Sequence, residues 1–195
     1  MQMDIYYSYA CRASYLVFAW LKMVQKSGQA PNIRWRPFAI QMDDPNEYWR
    51  QPWATANSEL RGFIVAEAAR RQGREAFLRF HDALEQAVHE QLLELGDEST
   101  LIGAAQQAGL DVNRFQADWH DPQLAQAAQR GHVQAVEQEH VSGTPTLVSP
   151  NGRSFHLELS EIPPQADALE VFRAIETLTV THPYISLFRQ TNNGN

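Results

Sequence analysis

One cysteine occurs in the 195 residues, and its neighbours are the first place to look for chemistry. Cys11 stands in Tyr9-Ala10-Cys11-Arg12-Ala13-Ser14. An Ile- and Tyr-rich run that reads as a short buried strand, residues 3–9, precedes it, and a long helical pattern follows. A helix start presents unpaired N–H groups and about half a positive charge. Both favour the thiolate, the form of cysteine that attacks a disulfide or an electrophile. Arg12 adds a cation beside it, and Ser14, three residues on, shares the same helix face and can offer a hydroxyl to the sulfur. The same residues also suit a buried cysteine serving as a small apolar side chain, and the local pattern does not separate the two. A second segment, Val141-Ser142-Gly143-Thr144-Pro145-Thr146, sends a proline into a strand. Proline is tolerated there at the first residue or at an edge.

Other spacings are weaker. Glu137 and His140 form half of the i, i+3 pattern used by carboxylate-bridged di-iron helices, but the other half is missing. His81 and His89 lie two helical turns apart with Glu85 between them. They could hold zinc on a surface, although solvated helix side chains are the expectation. Seven histidines without a second cluster of ligands do not make a metal site. Of Tyr6, Tyr7, Tyr9 and Tyr15, about two should enter the core, and one hydroxyl could face the cleft. The net charge of −7, from 16 basic and 23 acidic residues, disfavours nucleic acid as a partner. The arginines are scattered along the chain, with Arg70 and Arg71 the lone adjacent pair, and no basic patch is visible. No apolar run approaches the roughly 18 residues that would span a bilayer. The start, MQMDIYYSYAC, has no basic segment before its apolar residues and is not expected to be a signal peptide. One cysteine excludes an internal disulfide, which fits a cytoplasmic protein.

These residues need elements to position them. From Cys11, Tyr15, Phe18, Ala19, Leu21 and Met23 mark an apolar face that continues to a natural stop at Gly28. A second strand is expected over residues 33–38, with Pro37 at its edge or end, giving a parallel βαβ start. Residues 41–57 read as a long loop in which Trp49 and Trp53 either plug the core or form a substrate lid. Helical periodicity follows over 58–72, 74–95, 98–109, 112–119 and 122–140, with Ser58, Asp97 and Asp121 as N-caps and Pro122 at a first helical position. Thr146-Leu147-Val148 and Phe155 to Leu159 then form a hairpin about Pro150-Asn151-Gly152. A final helix covers 166–180, and Asn192-Asn193-Gly194-Asn195 reads as a loose polar tail. The order βαβ, helical block, ββα is that of a thioredoxin-like α/β domain: a mixed four-stranded sheet with a large all-helical insertion. Residues 1–57 and 141–195 would form the core, and 58–140 the insertion, as one compact unit.

Four segments, in order, resemble the DsbA-like branch of the thioredoxin superfamily, and specifically its FrnE-type members. They are Met3 to Trp20; Asn57 to Leu84, with SELRGFIVAEAARRQGREAFLRFHDAL; Gly109-Leu110-Asp111; and His140 to Val148. The resemblance implies a cis Pro145 lying against the sulfur of a nucleophilic Cys11. It also implies a departure. The family's redox motif is CxxC, and here Ser14 stands in the position of the resolving cysteine, with no other cysteine in the chain. A self-contained dithiol oxidant or reductase is thereby excluded. What remains is a monothiol oxidoreductase that forms a mixed disulfide with a small thiol or a protein, with Cys11 and Ser14 catalytic and Arg12, Thr144 and Pro145 supporting. Two alternatives are a thiol-dependent transferase or isomerase of the kappa-class glutathione transferase type, and an inactive binding module on the same fold. No bound cofactor is expected. Glutathione or another low-molecular-weight thiol would be the co-substrate, the partner a small thiol or disulfide, and the state a monomer or homodimer without nucleic acid or membrane.

Overall fold

A computed structural model describes residues 2–29 and 31–182; the polar tail at 192–195 lies outside them. The strand that leads to Cys11, β1 (Gln2–Tyr7), is buried along all but its first residue. It is covered on both faces, which is why it reads as a continuous apolar run rather than an alternating one. It lies second in a sheet of order β2-β1-β3-β4. α1 (Arg12–Lys26) carries the chain across to β2 (Asn32–Pro37), which pairs parallel to β1 with Tyr7 opposite Pro37. β2 is an edge strand and ends at its proline, where a missing N–H breaks no ladder. β3 (Thr146–Val148) pairs antiparallel to β1, and β4 (Ser154–His156) antiparallel to β3. Gly152 closes the hairpin at φ +79°, a conformation costly for any residue with a Cβ. β4 is shorter than its sequence pattern suggests, although Leu157 N still reaches Pro145 O at 3.1 Å.

Residues 41–57 are less irregular than their prolines imply. Asp44 accepts from Asn46 N at 2.8 Å and starts the short helix α2 (Pro45–Tyr48). Trp49 and Trp53 are both buried. Trp53 stacks on Trp119 at 4.6 Å between centroids and donates Nε1–H to Glu98 at 2.9 Å. They plug the core and form no lid.

The block between β2 and β3 is helical: α3 (Ser58–Arg71), α4 (Arg74–His89), α5 (Glu98–Gln107), α6 (Val112–Asp118) and α7 (Pro122–Glu137). Asn57, rather than Ser58, caps α3 by accepting from Leu60 N at 2.8 Å. α4 stops at His89, well short of the expected 95. Its end folds back, with Leu93 N bonded to Ala87 O and Leu92 at φ +57°, a left-handed turn that leucine rarely adopts. α8 (Ala168–Glu176) ends in a π turn over residues 177–181 and packs on α1, where Trp20 Nε1 donates to Ala168 O at 3.0 Å. One apolar cluster runs from the sheet into the helical block and includes Ile5, Tyr7, Trp20, Phe63, Phe80 and Phe115.

A buried carboxylate joins these parts. Glu59, on α3, has no solvent exposure. It accepts from Ser8 Oγ at 2.6 Å, Ile40 N at 3.0 Å, Gln41 N at 3.0 Å and Tyr48 OH at 2.9 Å. A buried charge is tolerated only when its lone pairs are filled in this way. Glu59→Gln keeps the shape but turns an NH2 group toward donors. We expect it to lower unfolding free energy by about 2–4 kcal/mol, read as a lower urea midpoint at unchanged slope. An unchanged midpoint would refute this role for Glu59.

Candidate active site

The turn between β1 and α1 places Cys11. Ser8 O accepts from Cys11 N at 3.0 Å, and Cys11 O accepts from Tyr15 N at 3.2 Å in the first bond of the helix. Cys11 is therefore the N-cap, in extended conformation, with no side-chain cap bond. Its sulfur is free to face outward, and the residue is half-buried. Ser8 Oγ, held by Glu59, accepts from Ala10 N at 3.1 Å and tightens the same turn.

The thiol meets the segment before β3. Cys11 Sγ donates to Thr144 O at 3.4 Å, across 133 residues of sequence. The Thr144–Pro145 bond is cis. Both residues are buried, and Thr144 Oγ1 has no partner among the described residues. Thr146 Oγ1 bonds Gly143 O at 2.7 Å and braces the turn. Of the remaining sequence candidates, Ser14 is buried, and its Oγ accepts from Ser8 N at 3.4 Å. It makes no hydrogen bond to the sulfur, because its hydroxyl faces back into the β1–α1 turn. Arg12 reaches sideways. Its Nη1 donates to His89 O at 3.1 Å, the free carbonyl end of α4, and its guanidinium lies 4.9 Å over the Tyr15 ring. Cys11, Thr144 and Pro145 thus come together, while Ser14 and Arg12 serve the walls on either side.

A third wall comes from α4, where the sequence was misleading. His81, Glu85 and His89 are not solvated. His81 and Glu85 are fully buried and His89 nearly so. They share a face with Phe77, Phe80 and Leu84, and that i, i+3, i+4 apolar company was the signal that they point inward. His81 Nδ1 and Tyr9 OH are 2.9 Å apart. His89 Nε2 lies 3.0 Å from Tyr9 O, so it carries the proton and donates, and it lies 3.5 Å from Glu85 Oε2. Both Glu85 oxygens lack a hydrogen-bond partner among the described residues. Burial pushes the Glu85 carboxyl well above the ordinary range, and the nearby Cys11 sulfur and Asp82 push it further. Burial holds His81 well below its usual value, with Arg70 adding to the effect. Among the described residues, no three or more His, Cys, Asp and Glu side chains converge as metal ligands would.

A family model described as Thioredoxin matches residues 2–165, and the chain belongs to that family. Its fold is that of the DsbA-like members. The cytosolic disulfide reductase DsbM of Pseudomonas aeruginosa superposes with a TM-score of 0.61 at 14% identity, over 91% of this chain and all of that one (100%). The α-DsbA1 of Wolbachia pipientis gives 0.62 at 15%, over 89% and 82%. A 2-hydroxychromene-2-carboxylate isomerase gives 0.64 at 16%, over 96% and 100%. Among curated proteins, the ClpXP adapter protein SpxH of Shouchella clausii is 36% identical over 91 residues, which are 47% of this chain and 30% of that protein. The match thus takes in about a third of the length of that relative. No helix among the described residues is long and apolar enough to cross a membrane.

The buried stripe has a pH signature. Glu85 is within electrostatic reach of Cys11, the N-cap of α1, of Tyr7 and Tyr9 of β1 and its turn, and of Asp82 and His89 of its own helix. A carboxyl raised in the fold binds more protons folded than unfolded, so its stability contribution is lost as pH climbs above about 4.5. The lowered His81, His89 and His132 act in the opposite sense, and their contribution is lost as pH falls below about 6.5. Glu85→Gln removes the first effect and keeps the second. The melting temperature of the variant minus that of the wild type should rise as pH is raised above about 4.5 and level off once pH passes the raised folded-state pKa, in calorimetric scans. A difference independent of pH would mean that Glu85 does not titrate with unfolding.

Proposed function

We propose that this protein is a single-thiol oxidoreductase whose Cys11 forms a mixed disulfide with a small thiol, glutathione being the natural probe, or with a protein. The observation that carries the reading is the Cys11 sulfur at the start of α1, half-exposed and 3.4 Å from Thr144 O, with no second cysteine in the chain. The Cys11 thiolate attacks one sulfur of a disulfide. A new S–S bond forms to Cys11, the old one breaks, and the departing thiolate leaves with the electron pair and takes a proton from water. Resolution needs an external thiol, because Ser14 has no sulfur to offer. An extended substrate can pair with the backbone around Thr144. The proton lost when the thiolate forms passes to solvent, which the half-buried Cys11 can reach. The single cysteine suits the reducing cytoplasm.

Two other readings have specific support. The superposition over the whole of an isomerase chain favours a transferase or isomerase in which Cys11 engages a thiol cofactor. The SpxH match favours a binding module. Intact mass spectrometry of the native protein after oxidised glutathione separates chemistry from binding. One glutathionyl adduct on the wild type, none on Cys11→Ala, and release by excess thiol are expected. Ser14→Cys should then close a reversible internal disulfide. A native protein that stays unmodified while its denatured form reacts, together with a Ser14→Cys variant that forms no disulfide, would overturn the thiol reading in favour of binding.

A further inference from the structure

The fold gathers charge that the sequence disperses. Along the outer edge of β2, between the α3–α4 pair and α7, runs a cleft of about 470 Å³, within the roughly 300–1,000 Å³ of ordinary ligand sites. Five of the chain's 16 basic residues line it: Arg34, Arg36, Arg70, Arg74 and Arg130. The scattered arginines of the linear chain are thus a basic site in three dimensions, on a protein of net charge −7.

Their partners do not balance them. Asp4 serves both Arg34, at 2.5 and 2.6 Å, and Arg36, at 2.9 Å. Glu67 pairs with Arg70 at 3.0 Å, and Arg70 also donates to Trp35 O at 2.5 Å and lies over Phe77. Arg36 further reaches Gln134, whose amide holds Glu139. Among the described residues, Arg74 meets only the neutral Asn32 side chain. Arg130 makes no hydrogen bond or ion pair with any described residue, and its charge acts on Glu67 from a distance. Two carboxylates, Asp4 and Glu67, thus pair with three of the five guanidinium groups, and the two left over, Arg74 and Arg130, are exposed. α7 leaves room there. It presents Ala127 and Gly131 to β2, and a Cβ on Gly131 would already sit 3.4 Å from Pro37. Buried Trp35 and Phe77 make a firm apolar floor.

Guanidinium forks match the paired oxygens of phosphoryl and carboxylate groups, and uncompensated like charges repel until an anion neutralises them. The overall negative charge opposes a long polyanion. We propose that this cleft binds a small molecule carrying two or more phosphoryl or carboxylate groups, with Arg74 and Arg130 as the charges that capture it. Neither Cys11 nor its partner Thr144 lines the cleft, so the site is separate from the thiol chemistry.

The test is calorimetric titration of the full chain with pyrophosphate and, separately, citrate, at ionic strength matched with sodium chloride. Saturable binding of either ion is expected, with a rise in melting temperature that grows with ligand concentration. Tight pyrophosphate with weak citrate assigns a phosphoryl ligand, and the reverse a carboxylate one. The double variant Arg74→Gln, Arg130→Gln should weaken binding by about tenfold or more. Both side chains are exposed, so its unliganded melting temperature should stay near that of the wild type. Arg130→Lys, which keeps the charge but not the fork, should lose less. The proposal is overturned if neither ion does more than sodium chloride, or if the double variant binds both as well as the wild type.

Discussion

Glu59 is a charge sealed inside the protein, and its need for partners organises what surrounds it. Four donors from three places converge on it: Ser8 after β1, Ile40 and Gln41 after β2, and Tyr48 on α2. None of these can move without exposing a buried charge to an apolar interior. Ser8 is the consequential member. Its hydroxyl donates to Glu59 while accepting from Ala10 N, and its carbonyl accepts from Cys11 N. The turn that carries the thiol is thus hung from the first helix of the insertion. Cys11 gains the orientation of a helix N-terminus without lending its side chain to the cap.

The insertion meets the residues around Cys11 a second time through α4. His89 bonds the carbonyl of Tyr9, Tyr15 stacks on the His89 ring at 4.9 Å, and Arg12 caps the carbonyl end of the same helix. On the same helix lies Glu85, buried, with no hydrogen bond to either oxygen among the described residues and His89 Nε2 at 3.5 Å. Glu59 and Glu85 are equally enclosed and differ only in their neighbours. The first is ringed by N–H and O–H donors. The second faces a sulfur, an aspartate and tyrosines, and burial keeps its proton on. One buried acid fastens the fold; the other is left without a hydrogen bond, within electrostatic reach of Cys11. Unsatisfied buried polar groups are rare in native proteins and tend to mark places where function outweighs stability.

The edge strand β2 shows the same division of labour. Its inner face packs Ile33 and Trp35 into the core, while its outer residues Arg34 and Arg36 join arginines from α3, α4 and α7. An exposed sheet edge invites pairing with other chains. Here Arg70 occupies the Trp35 carbonyl, and the close approach of α7 at Gly131 shields the strand's end. Positive charge at the edge both guards it and shapes the cleft.

The order of elements was legible in the sequence because it depends on local chemistry. An apolar run marks β1 and period-3.6 patterns mark α1 and α7, Gly28 ends α1, Asp121-Pro122 starts α7, and an Asn-Gly turn with Gly152 at positive φ closes the last hairpin. The monothiol character followed from counting one cysteine, and Cys11 with Thr144 and Pro145 was readable as a pair of segments. Contacts between distant residues were not. Ser14 and Arg12 sit where expected along the chain, yet Ser14 turns to Ser8 and Arg12 to His89, choices made by neighbours up to 77 residues away. His81, Glu85 and His89 had the spacing of a solvated stripe, although Phe77, Phe80 and Leu84 share their face, and packing of α4 against Tyr9 buries them. The arginines of the β2 cleft lie as far apart as Arg34 and Arg130, so no linear pattern could join them. Periodicity and turn chemistry act over a few residues and are written in the chain. Burial, charge balance and hydrogen-bond partners are set by which surfaces meet, and the tertiary structure alone decides that.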